Sequence, residues 1–348
     1  MRALDFFCGA GGLTHGLRRS GIEVTSGVDA DPRCRESFER NNAGVAFVED
    51  DVRCVSIQTV FKLLGSRKTS DLLLAGCAPC QPFSSQRKRK LDLDGEPERP
   101  TPDATLLSVF ARLVEEILPA FVLIENVPGL ARVPGRSTHR RFLSMLKDNG
   151  YGFVEGVLDA KAYGVPQNRR RYVLIAAKGR STVLPPPTHG RSKVPFATVR
   201  GAIAHFPPLR AGEADPLVSN HVAANLEPIN LQRIASTPKN GGDRRTWQVD
   251  LRLDCHSGAY EGHTDVYGRM RWDAPAPTLT GRCNSLSNGR YGHPEQDRAI
   301  SLREAASLQT FPDAYVFYGV NQHIARQIGN AVPVRFAERL GAQLVGML

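Results

Sequence analysis

Residues 3–32 read ALDFFCGAGGLTHGLRRSGIEVTSGVDADP, and no other stretch limits the fold so sharply. A short apolar run meets a glycine cluster. Leu13, Gly16 and Leu17 follow at helical spacing, Gly21 breaks the pattern, and a second apolar segment ends in Asp29. That order predicts a β-α-β unit. Further apolar runs at 71–77 (DLLLAGC), 120–127 (AFVLIENV) and 171–177 (RYVLIAA) read as buried strands. TLLSVFARLVEEIL, 105–118, has the spacing of an amphipathic helix before one of them. The first half is therefore expected to be α/β with a largely parallel sheet.

Gly9, Gly11 and Gly12 lie between the first predicted strand and its helix, where glycine lets a ligand approach the backbone and the helix start offers unpaired amides. Position 14 is threonine, so G-x-G-x-x-G is not matched, and no Walker lysine follows; dinucleotide and nucleoside-triphosphate readings are both weakened. Asp29, placed to end the next strand, could accept hydrogen bonds from ribose hydroxyls. A plain tight turn would also use these glycines, but together with Asp29 they read as a nucleoside-cofactor pocket.

From about Leu184 the texture changes. PPPTHG, HFPPL, TPKNGGD and DAPAPTLTG punctuate the chain and strand-helix alternation stops. The expected division is a catalytic domain over 1–186 completed by 329–348, an irregular second domain over 187–300, and a linker over 301–328. SLREAASLQTFP (301–312) restores a helical pattern, and the last residues close with a Gly-Asn turn and an amphipathic helix.

The chain has 348 residues, 41% of them hydrophobic and 23% charged, which suits a globular protein with little extended disorder. It opens without a signal-peptide layout and holds no membrane-length apolar run, so a cytoplasmic protein is expected. Seven cysteines at irregular spacing read as reduced thiols. The net charge of +10 concentrates at RKRK (87–90), RSTHRR (136–141), RRR (169–171) and RR (244–245). Such clusters suit a polyanion, although a solvated basic surface has the same composition.

Cys77 and Cys80 form a C-x-x-C, which can be a redox pair, half a zinc site, or a nucleophile beside a bystander. Cys80 lies just past a predicted strand, at the edge where α/β sheets open ligand crevices, so its position favours catalysis. Pro82 and the SSQRKRK run argue for a loop rather than the helix a redox pair wants, and no other cysteine or histidine pair has zinc spacing. Glu125, in IENVPG, would emerge at the same edge and could act as acid or hydrogen-bond partner; Asn126 reads as a turn organiser. Arg169 and Arg171 precede a strand on alternate positions and so would face the same way, ready for phosphate or a polar base.

DFFCGAGGL, VDADP, DDV, APCQPFSS, ENV, QNRRRY, RWDAPAPTLT and GNAVP, in that order, resemble the DNA cytosine 5-methyltransferases from residue 5 to about 335. Roughly 178–260 falls outside the match, where this family carries its variable target-recognition region. The resemblance implies a Rossmann-like methyltransferase domain and a smaller target-recognition domain. It also implies S-adenosylmethionine held by Phe7, Gly9, Gly11, Asp29, Asp51, Val52, Pro79, Leu106 and Asn330. Ala30 departs from the pattern, since some relatives have an adenine-packing aromatic there.

The same resemblance implies double-stranded DNA as substrate, no metal, and a monomer. Cys80 would add to carbon 6 of a flipped cytosine, Glu125 would meet ring nitrogen 3 and the exocyclic amine, and Arg169, supported by Arg171, would hold the base carbonyl. Residues 81–101 would form a lid, with Ser84 and Gln86 meeting the DNA. Arg244, Arg245, Trp247, Arg269 and Arg271 in the variable region favour DNA. An RNA cytosine methyltransferase, a silent DNA-binding homologue and a C-x-x-C oxidoreductase are the competing readings. The expected setting is a prokaryotic, nucleoid-associated modification enzyme, paired with a restriction endonuclease or solitary.

Overall fold

The structure, a computed structural model, describes residues 1–77, 106–132, 138–253 and 265–348. Two compact units emerge: residues 1–159, 170–186 and 337–348 form the first, and 160–169 with 187–336 form the second.

The first unit is built on seven strands: β1 (Arg2–Phe6), β2 (Glu23–Asp29), β3 (Ala46–Glu49), β4 (Leu72–Gly76), β5 (Phe121–Asn126), β6 (Tyr151–Asp159) and β7 (Arg170–Lys178). Their order is β3-β2-β1-β4-β5-β7-β6. The strands β3 to β5 pair in parallel, whereas β7 runs antiparallel to both β5 and β6. The expected α/β sheet is present and mostly parallel. Every residue of β4 and β5 is buried, which is why β4 and the first four residues of β5 read as unbroken apolar runs.

Helices α1 (Gly12–Arg19), α2 (Arg35–Asn41), α3 (Ile57–Leu64), α4 (Leu106–Ile117) and α5 (Thr138–Asp148) complete the winding. Phe110 of α4 meets Phe6 edge-on at 5.7 Å between ring centres and Phe142 of α5 at 6.4 Å. Each such ring contributes roughly 1.5–3 kcal/mol through burial. The strand order reverses between β1 and β4, so the ligand crevice of this fold opens at the carboxyl ends of those two strands.

The chain returns to this unit at its end, as the closing amphipathic helix predicts. The last helix, α10 (Val334–Val345), belongs to the first unit from Ala337 onward. Gly341 lies so close to Ser20 that an added Cβ would sit 2.2 Å from its Oγ, and Arg19 pairs with Glu338 at 3.2 Å.

The second unit carries α6 (Val199–Ile203), α7 (Pro228–Ala235), α8 (Leu302–Leu308) and α9 (Asn321–Asn330) among irregular segments. Ile234, Trp247, Leu251, Tyr267 and Leu286 form one of its apolar clusters. The expected boundaries shift here. Residues 160–169 join this unit, and 301–328 is no linker, because α8 is packed into the interior of the unit, with Leu302, Ala305, Ala306 and Leu308 fully buried.

A buried polar network holds α8. Glu304 closes a capping box with Ser301 and receives both Arg298 terminal nitrogens at 2.7 Å. Burial alone would raise the Glu304 pKa; the Arg298 pair overrides it and holds it below the ordinary range. His293, 2% exposed, accepts the Glu295 and Gln296 amides on Nδ1 at 3.1 and 3.0 Å, which requires the neutral ring. Burial lowers its pKa to about 4.

An unfolded histidine protonates near its ordinary 6.5 and this one does not, so stability is complete above that value and falls as pH drops toward 4. In thermal melts the stability difference between the wild type and His293→Gln should shrink by about 1.4 kcal/mol per pH unit as pH falls from roughly 6.5 to 4.5, whatever other buried groups add to both. An unchanged slope in that variant rules out His293 as the titrating group.

Candidate active site

After β1 the chain bends through three left-handed residues, Phe7, Gly9 and Gly11, with φ of 61°, 51° and 87°. Gly11 then N-caps α1. The Gly9 amide donates to Asp29 Oδ2 at 2.8 Å and the Asp31 amide to Asp29 Oδ1 at 2.8 Å, so the acid at the end of β2 braces the turn. Among the described residues, a Cβ built on Gly9 would meet nothing within 4 Å, so they leave the backbone open to a ligand. Asp29 is half-buried, and burial raises its pKa.

Phe7, Val52 and Leu106 come together in one apolar cluster, Phe7 at its partly buried margin. Asp51 turns its carboxylate to Arg53, whose hydrogen bonds lower its pKa. Asn330 is the exposed last residue of α9, in the second unit. Pro79, Cys80, Ser84 and Gln86 lie outside the described residues.

Glu125 stands next to last in β5 and is 6% exposed. Arg171, second in the neighbouring β7, brings its Nε to 3.1 Å from Glu125 Oε1, an ion pair in which that oxygen makes no hydrogen bond. Sheet pairing sets this contact: Glu125 lies opposite Val173 and Asn126 opposite Tyr172, which carries Arg171 past the end of β5. The Asn126 side chain accepts the Val127 amide at 2.8 Å, the turn-organising part expected of it. Cys77 is half-buried, and its thiol is pushed well above its ordinary value by desolvation, then by Glu125 and Asp5, so it stays protonated.

The two arginines, expected to face the same way, have different partners. Arg169 precedes β7 and belongs to the second unit, so strand alternation does not apply to it. Only 2% exposed, it donates to the carbonyls of Leu279 at 2.9 Å, Gly329 at 3.2 Å and Ala331 at 3.1 Å. Its guanidinium ties loops together, and Arg171 is the one that meets Glu125.

The basic residues of the second unit divide in the same way. Arg269 is fully buried and donates to the carbonyls of Thr237, Ile234, His293 and Gln296 and to Asp297, so the expectation that it meets DNA is corrected. Arg244 is 9% exposed, and Trp247 is buried with its Nε1 donating to Thr237 Oγ1 at 2.8 Å; both are interior residues. Arg245 and Arg271 remain on the surface. Arg245 is held by a two-pronged pair with Asp243, at 2.9 and 2.7 Å.

The profile of the C-5 cytosine-specific DNA methylases matches residues 1–346. The chain belongs to that family. This methylase is similar to the Type II methylase M.HgiDII of Herpetosiphon aurantiacus, 42% identical over 95% of this chain and 91% of that one. It is also similar to the Type II methyltransferase M1.HphI of Haemophilus parahaemolyticus, 32% identical over 99% and 86%. Its fold resembles that of a DNA modification methyltransferase from an Escherichia coli prophage, with a TM-score of 0.76 at 23% identity over 99% of each chain.

Two residues of the methylase escape sequence reasoning. Gln167 is fully buried; its amide donates to Gln309 Oε1 at 3.0 Å while its oxygen accepts the Leu279 amide at 3.0 Å, joining segments more than 100 residues apart. Asp5 is buried on β1 and accepts the Thr14 hydroxyl at 2.6 Å. Threonine at position 14, where a dinucleotide loop has glycine, was the visible signal for the second.

Proposed function

We propose that this DNA cytosine C-5 methylase uses S-adenosylmethionine and a covalent Cys80 adduct to modify a cytosine flipped out of a specific duplex sequence. The pair of buried Glu125 and half-buried Arg171 carries the reading, because it offers a carboxyl and a fixed cation side by side at the carboxyl end of β5. The open backbone over Gly9, the braced Asp29 and the apolar cluster of Phe7, Val52 and Leu106 fit a nucleoside cofactor. When bound, S-adenosylmethionine supplies an electrophilic methyl group.

The Cys80 sulfur adds to carbon 6 of the base, which turns carbon 5 into a nucleophile. Glu125 delivers a proton to ring nitrogen 3 and accepts a hydrogen bond from the exocyclic amine as charge develops on the ring, taking the proton back when the adduct collapses, and Arg171 holds Glu125 in place and faces the base carbonyl. After methylation a base removes the carbon 5 proton and the Cys80–carbon 6 bond breaks, restoring the aromatic ring. A stacked cytosine cannot undergo these steps, hence the flip. Ser84 and Gln86 meet the DNA, and the second unit reads the sequence through surface residues such as Arg245 and Arg271. The Type II names of its relatives support pairing with a restriction endonuclease.

Base-resolution methylation mapping in a methylation-deficient bacterium expressing the protein tests this. One cytosine of a short motif should be converted at nearly every copy. An unmodified genome, with soluble protein that binds the cofactor, would move the substrate to RNA.

A further inference from the structure

Asp5 has no exposed surface, and while Oδ2 accepts from Thr14, Oδ1 has no hydrogen-bond partner among the described residues. The groups facing it are Thr14 from α1, Asp29 at the end of β2, Cys8 in the turn and Cys77 beyond β4. Among the described residues these are a hydroxyl, a second carboxyl and two thiols. Burial pushes the Asp5 pKa up to about 7 and raises Asp29 as well. In a chain of net charge +10, the floor beneath the glycine turn is acidic.

A buried carboxyl with an unsatisfied oxygen costs stability, so a role in stability does not explain it. Its place does point to a ligand. Asp5 lies on β1, at the reversal of strand order, two residues before the left-handed turn that leaves the Gly9 backbone open. Among the described residues no cation pairs with it, and a cationic ligand there would gain from it across a low-dielectric interior.

We propose that Asp5, together with Asp29, supplies the negative potential that biases this pocket toward a cationic sulfonium ligand over the neutral thioether left after methyl transfer. This rests on the S-adenosylmethionine reading above. Asp5 is then a positioning residue of electrostatic kind: its charge favours capture of the donor and release of the product. The Thr14 hydrogen bond fixes where that charge lies.

Calorimetric titration of the full chain with S-adenosylmethionine and with S-adenosylhomocysteine, for the wild type and Asp5→Asn, tests it. The amide keeps an acceptor for Thr14 but removes the charge. The ratio of sulfonium to thioether dissociation constants should rise on the order of tenfold, with no loss of melting temperature at pH 8. Equal weakening of both ligands, or a falling melting temperature with the ratio unchanged, makes Asp5 merely structural and overturns the proposal. Should the variant fail to fold, the wild type decides: the same ratio must rise as pH is lowered from 8 to 6, and a flat ratio refutes the idea. If neither ligand binds the wild type, the cofactor reading itself fails, which is distinct from binding with no discrimination by charge.

Discussion

Cys80→Ser abolishes methyl transfer and leaves cofactor binding intact. A serine hydroxyl is far less ionised than a thiol at neutral pH and a poorer nucleophile toward an aromatic carbon, so carbon 5 is never activated. The loss expected in single-turnover methylation of duplex DNA is on the order of 10⁴-fold or more, with the dissociation constant for S-adenosylmethionine within about twofold of the wild type. DNA containing 5-fluorocytosine should trap a covalent complex with the wild type and none with the variant. Retained turnover in Cys80→Ser would falsify the adduct mechanism. The same experiment in Cys77→Ala should leave trapping in place, since burial and the nearby carboxyls keep the Cys77 thiol protonated.

The second large effect falls on Glu125 and Arg171. Glu125→Gln keeps the shape and most hydrogen bonding of the side chain but removes its charge and its ability to share a proton with the base. The expected fall in kcat is about 10²- to 10⁴-fold, with little change in cofactor affinity. Arg171→Ala leaves the buried Glu125 carboxylate without the cation 3.1 Å from it, and should lower kcat by a similar factor. Because the two act as a pair, the double variant should be scarcely worse than either single one. Fully additive losses would mean that Arg171 and Glu125 work independently. Arg169→Ala should behave differently, lowering the melting temperature first, because its guanidinium serves three carbonyls of the second unit.

The first unit was largely legible because its signals are local. β1, α1 and β2 follow from periodicity and one glycine cluster, β4 and β5 from apolar runs that no surface strand could carry, and α4 from its spacing. Short β3 and mixed β6 carry weaker patterns, and the antiparallel setting of β7 beside β5 depends on a partner that lies before α5 and β6 in sequence. The second unit was legible only as irregular. Its interior is organised by buried arginines, Arg269, Arg298 and Arg303, that donate to carbonyls contributed by distant loops. Charge in a sequence reads as surface, so Arg244 and Arg269 read as DNA contacts there, whereas both are buried.

What the sequence determined by itself was the α/β winding, the glycine turn with Asp29 at the end of the next strand, and the family's motif order, because each depends on neighbours within about 30 positions or on the order of short motifs. What only the tertiary structure decided was which arginine meets Glu125, which basic residues are interior, and that one oxygen of Asp5 lacks a hydrogen bond among the described residues. Arg169 and Arg171 are two residues apart, yet one ties together loops of the second unit and the other faces Glu125. Burial and pairing are properties of what the rest of the chain brings near, and no local pattern encodes them.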